Sequence, residues 1–295
     1  SRSRPPNSMT WCGSRIVTEE LARTSHSKDS SQATVTSETH APPNGEGAPA
    51  ALAPAASSTP LGWTDLGLCL LLLGGLGAYV ATHLDMIGRP EEDAAMLLRY
   101  SKNLALGYGI VWNIGERPVD GATDFLFMVL VGGLAKAGLD LETAARALGL
   151  AAHAATALLV FLGARRLHDA PPAWALVPAV FVLLGPGLRH LAACFGTPLF
   201  ALTALVTWLI ATRLARVDSG RESGPALVFA LAALVMGLAR PEGVFLAAFM
   251  MLAVLMERRG AGARTIVSRF LLVFLTLGLT YFLWRFLYFG YPLPN

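Results

Sequence analysis

The chain has 295 residues, 54% hydrophobic and 15% charged, with a formal net charge of +3 and a mean hydropathy of +0.52. A soluble globular protein carries roughly 25% charged residues, so this composition excludes that class and points to a polytopic membrane protein. Nothing in so small a net charge calls for a nucleic-acid partner; where the charges lie is the informative quantity.

Residues 1–60 are rich in Ser, Thr, Ala and Pro and have no apolar period. They hold too little apolar surface to offset the entropy of ordering and are expected to be a disordered tail. No cleavable signal peptide stands at the start. The chain opens on Ser and stops at Pro-Leu-Pro-Asn just after an apolar run, so both ends look cut and further spans are expected beyond Asn295. Cys12, Cys69 and Cys194 show neither metal-ligand spacing nor a disulfide pattern, and no metal or other cofactor is expected.

Residues 61–295 form the expected membrane domain. Leu61 to Thr82 is the first span, with Trp63 suited to the interfacial aromatic belt and Asp65 near its start. At about 1.5 Å per residue it crosses a ~30 Å core. A polar passage follows, and then the apolar segment 123–139. Later apolar segments run over 143–164, 173–188, 197–215, 224–239, 243–256 and 266–289.

The connections between them alternate in basicity. Arg165-Arg166, the stretch Arg213 to Arg221, and the four arginines between Glu257 and Arg269 make one set. The turns around Arg189 and Arg240 make the other, with a single arginine each. By the positive-inside rule the first set is cytoplasmic. Tracing backward, the segment 143–164 runs inward, so residues 83–143 stay outside and 123–139 lies in the interface instead of crossing. The expected fold is therefore all-α: about seven spans, the amino end inside, and a large first outer loop.

That loop carries the chemistry. Pro90 starts a helix, Glu91, Glu92 and Asp93 occupy its first turn, and Gly107 and Gly109 end it. Local spacing alone describes an interfacial helix, acidic at its start and basic at its end, as the helix dipole favours. A carboxylate at an outer membrane surface also suits a general base acting on an acceptor hydroxyl. On helical spacing Asp93, Met96, Tyr100 and Asn103 share one face, and Glu92 and Arg99 another, so only one of the two acids faces a given pocket.

The run Glu92-Asp93-Ala94, Leu98 to Leu104, Gly107-Tyr108-Gly109 and Val111-Trp112-Asn113-Ile114-Gly115-Glu116-Arg117 resembles the first outer loop of GT-C type membrane glycosyltransferases, nearest the terminal arabinofuranosyltransferase-like family of bacteria. Thr197-Pro198-Leu199-Phe200, Arg240-Pro241-Glu242-Gly243, and Arg285 with Tyr288-Phe289-Gly290 and Leu293-Pro294-Asn295 extend the likeness in the same order. The resemblance implies a helical bundle in a bacterial inner membrane. It also implies a polyprenyl-phosphate sugar donor, a glycan or lipid acceptor, and an inverting transfer on the outer face with a first-loop acid as base.

Glu92 stands where relatives carry Asp, which leaves Asp93 as the rival base, and Gly196 stands where relatives often carry Glu. Arg99, Tyr100, Asn103, Trp112, Asn113, Glu116, Arg117, Arg240, Glu242, Arg285 and Asn295 are the substrate-contacting residues the resemblance implies. Arg240 and Arg285 are placed on phosphate oxygens, which a guanidinium matches in bidentate fashion. Trp112 and Tyr108 suit either stacking on a sugar or anchoring the loop in the interface, His153 is a hydrogen-bonding residue between spans, and Arg189 and His190 are solvated residues of an outer turn. Two alternatives stand beside this reading: a transporter or flippase, and an inactive relative.

Overall fold

A computed structural model of the protein describes residues 62–291, all in one compact unit. The expectation of a disordered tail over 1–60, and the proposed contact at Asn295, fall outside the described residues. The fold is all-α, with eleven helices and no strand among the described residues.

Four elements are long and apolar enough to cross a membrane: α1 (Trp63–His83), α4 (Leu141–Leu167), α7 (Thr197–Ala215) and the continuous rod Ala261–Phe289. That rod comprises α10 (Ala261–Val273), a π-helical turn (Phe274–Gly278) and α11 (Leu279–Phe289). Between them lie α8 (Ser223–Ala239) and α9 (Glu242–Glu257), of 17 and 16 residues.

The segment expected as one span over 173–188 is divided. α5 (Pro172–Leu183) has 12 residues, a turn at Leu184 to Pro186 follows, and α6 (Gly187–Ala192) is a short separate helix. Gly185-Pro186-Gly187 explains the break, because Pro disfavours the helical region in the residue before it and supplies no N–H. His153, mid-way along α4, lies with Nε2 3.0 Å from the Leu183 carbonyl oxygen where α5 ends.

Helix direction follows from two contacts. Arg165, in the last turn of α4, grips Asp65, at the start of α1, through Nε and Nη2 at 2.6 and 3.3 Å. So α1 and α4 run antiparallel, and the passage between them leaves and re-enters the bundle at one end. Near the start of α4, the buried Arg146 donates to the carbonyls of Ala192 and Gly88, which puts the start of α7 at that same end.

Within the passage, α2 (Glu92–Ala105) ends where Gly107 and Gly109 take φ of +87° and +86°. α3 (Phe125–Lys136) has only 12 residues, roughly 18 Å of rise. That is short of a ~30 Å core, and α3 packs on α2 instead, through Phe127, Met128 and Val131, which are buried with Leu97, Leu98 and Tyr100. The arginine-rich connections gather at the other end. There Arg258 donates to the carbonyls of Leu214 and Ala215 and lies 3.8 Å from the buried Glu222.

A cavity beneath the polar passage

Four elements bring polar side chains to one cavity of about 390 Å³, within the ~300–1,000 Å³ usual for small-molecule sites. Asp93 comes from the first turn of α2, Asp124 from the residue before α3, His190 from α6, and Arg240 from the turn between α8 and α9. Phe195 and Leu97 supply apolar wall. Asp93 and His190 are exposed, Asp124 is buried, and Arg240 is half-buried.

Asp124 is the unusual member. As the residue capping α3 it is placed to accept from a first-turn N–H, the ordinary task of an N-terminal Asp. Its side chain makes no such bond and lies instead against Arg240, whose Nε is 3.4 Å from Oδ1. That pair is loose: Nε of Arg240 is buried without any hydrogen-bond partner, while Nη2 lies 3.4 Å from Glu242. Burial pushes the Asp124 carboxyl above its ordinary pKa; Arg240 pulls it down and Glu242 adds to the rise. A cap given up, a donor left unmet and a carboxyl held towards its protonated form in one cavity are local costs of the kind that collect at functional sites.

Gly196 has a steric reason to be glycine. A Cβ there would stand 2.6 Å from Oδ2 of Asp124 and 3.0 Å from Cβ of Phe127. The missing side chain is what lets the start of α3 close against α7.

The two candidate bases part company. Asp93 lines the cavity. Glu92 lines only the adjoining cleft, beside Glu91, Arg189 and His190. Asp93, His190 and Phe195 border both spaces.

The other residues singled out in the sequence build the passage itself. Arg99 donates to the Trp112 carbonyl at 2.8 Å and to Asn113 Oδ1 at 2.7 Å, and its guanidinium stacks 4.4 Å from the Trp112 ring. Asn113 donates to Glu116 at 2.8 Å. The buried Asn103 donates to the carbonyls of Val111 and Trp112, and Tyr100 donates to that of Val119 at 3.0 Å. None of these six lines the cavity. Arg117 lies over Tyr291 at 5.9 Å.

Arg285, expected to face phosphate, is occupied within the protein. Nε and Nη2 donate to Asp120 at 2.7 and 2.6 Å, and Nη1 donates to the Tyr281 hydroxyl at 2.8 Å. With Tyr288 accepting from the Ile110 N–H at 3.1 Å, this pair fastens α11 to the passage.

Sequence reasoning missed Asp120 and Asp124; His190, expected to be solvated, is exposed and borders the cavity. Asp124 had a legible signal, an acid immediately before an apolar run. Asp120 had none. Compared with family models, curated proteins and solved structures, the chain matches none.

Proposed function

We propose that the chain is a membrane glycosyltransferase that moves a sugar from a polyprenyl-phosphate donor to a glycan or lipid hydroxyl, with inversion. The reading rests on the resemblance of residues 92–117 to the first outer loop of such enzymes. The observation that carries it to particular atoms is the cavity joining Asp93, Asp124 and Arg240. Asp93, exposed and free of ion pairs among the described residues, takes the acceptor proton as general base. Arg240, whose side chain is one-third exposed and lines the cavity, receives the anionic phosphate of donor and leaving group. Asp124 holds the guanidinium from behind, and apolar wall beside the cavity suits a donor whose body stays in lipid.

The same proposal assigns sidedness. The arginine-rich end faces the cytoplasm by the positive-inside rule, the amino end is inside, and the cavity opens on the outer face of a bacterial inner membrane. A transporter asks for charge near mid-bundle. The buried charged residues among the described residues, Asp65, Asp120, Asp124, Arg146 and Glu222, all lie near helix ends or in loops, which speaks against a mid-bundle path.

The test is sugar transfer from polyprenyl-phosphoryl sugars by the protein in proteoliposomes. Asp93→Asn is expected to slow turnover by roughly 100- to 10,000-fold, the range of general-base contributions. Glu92→Gln is expected to leave it within about threefold, since a side chain outside the reacting geometry contributes little to it. The opposite ranking, or no transfer with any such donor, defeats the assignment.

A further inference from the structure

A second cavity, of about 430 Å³, lies between α7 and α9 at the arginine-rich end of the bundle, far along both helices from the polar passage. Ala211 and Ala215 on one helix and Ala253 on the other form its floor, and Trp208, 42% exposed, forms a wall. α7 and α9 are separated by one antiparallel helix, so both end here. Arg216 follows the last turn of α7, and Glu257 closes α9. Both line the cavity, and both are exposed.

Neither Arg216 nor Glu257 takes part in an ion pair among the described residues. The neighbouring Arg258 is turned away, committed to Glu222 and to the carbonyls of Leu214 and Ala215. An apolar trough thus carries one free cation and one free anion at its mouth. An anionic headgroup meets Glu257 as a repulsion, and a cationic amphiphile meets Arg216 the same way. A zwitterion with a phosphate and a primary ammonium satisfies both. The carbonyl ends of two helices add partial negative charge that favours the ammonium, while the guanidinium favours phosphate oxygens.

We infer that this trough binds an amine-bearing glycerophospholipid of the phosphatidylethanolamine type, with its phosphate on Arg216, its ammonium on Glu257 and an acyl chain along Trp208. The site is independent of the transfer reaction proposed above.

Trp208 makes the test direct. The protein is placed in nanodiscs of increasing mole fraction of phosphatidylethanolamine, phosphatidylcholine or phosphatidylglycerol, each brominated on its acyl chains. Quenching at position 208 is read as the difference between the chain, with its six tryptophans, and Trp208→Phe. The expected result is quenching by the ethanolamine lipid at about tenfold lower mole fraction than by the other two, the size of a lost charge-assisted hydrogen bond. That preference is expected to vanish in Arg216→Gln and in Glu257→Gln. Equal quenching by all three lipids overturns the inference, as does a preference for the glycerol lipid, which would mark a merely basic surface. The headgroup comparison on the unaltered chain decides the matter even where a variant fails to fold.

Discussion

Asp120 and Asp124 stand four residues apart in one loop, and each meets an arginine distant in sequence, yet the two pairs are opposites. Asp120 and Arg285 are closed: two hydrogen bonds of 2.6 and 2.7 Å, a third from Arg285 to Tyr281, and side chains 2% and 13% exposed. Asp124 and Arg240 are open: a single approach of 3.4 Å, a buried Nε with no hydrogen-bond partner, and a guanidinium one-third exposed to a cavity. The first pair has spent its donors on the fold. The second holds its guanidinium only loosely. Two arginines that look alike in sequence are thus separated by how completely their partners satisfy them, and the ligand-facing role proposed for Arg240 rests on that difference.

The comparison is broken or sharpened by substitution. The largest effect is expected at Arg240. Its conversion to Gln removes the only guanidinium among the described residues that lines the cavity and is expected to lower transfer by about a hundredfold or more, on the scale of losing a positioned charge in a dry site, while thermal unfolding shifts little. Next comes the closed pair. Asp120→Asn leaves the largely covered Arg285 without its counter-charge, which costs up to roughly 3–5 kcal/mol; unfolding in detergent is expected to fall accordingly, with Asp120→Leu combined with Arg285→Met recovering much of the loss. If Arg285 variants keep full stability and lose only activity, the division of roles is wrong.

Smaller effects test the open pair. Gly196→Ala places a methyl 2.6 Å from Asp124 Oδ2 and is expected to cost about 1–3 kcal/mol by overpacking, with a fall in transfer as Asp124 and Arg240 are displaced. The smallest effect is a pH dependence. The Asp124 carboxyl is raised, chiefly by burial, so its folded state binds the proton more tightly than the unfolded chain does. The stability it contributes is present below the ordinary Asp value of about 3.9 and is lost as pH rises through the raised value. Asp124→Asn cannot ionise, so its stability relative to the parent is expected to grow between about pH 4 and pH 7, as read from unfolding midpoints at the two values.

What the sequence discloses and what it hides divide along a physical line. The bounds of α2 are legible because Pro90, the acids after it, and Gly107 and Gly109 act within a few residues. The interfacial placement expected of 123–139 rests on the balance of loop arginines; the structure shows there a helix of 12 residues, shorter than the four long apolar helices. The division of α5 from α6 was missed although Gly185-Pro186-Gly187 marks it, because an apolar run of the right length hides a break. The closed pair is invisible for another reason. Arg285 and Asp120 are 165 positions apart, and nothing local to either names the other. Asp124 reads as an ordinary helix cap until Gly196 and Arg240 are seen around it. Arg99, Asn103, Trp112, Asn113 and Glu116 are conspicuous in sequence for their chemistry, but their bonds turn out to be with one another and with the local backbone.

The most direct measurement is the affinity of the protein in nanodiscs for a fluorescent polyprenyl phosphate, compared between Arg240→Gln and Arg285→Gln at equal folded fraction. The expected result is that Arg240→Gln weakens binding by about tenfold or more, the size of a lost charge-assisted contact to phosphate, while folded Arg285→Gln binds as the parent does. Unchanged binding in Arg240→Gln, or a loss confined to Arg285→Gln, would contradict the assignment of the open pair to the ligand and the closed pair to the fold.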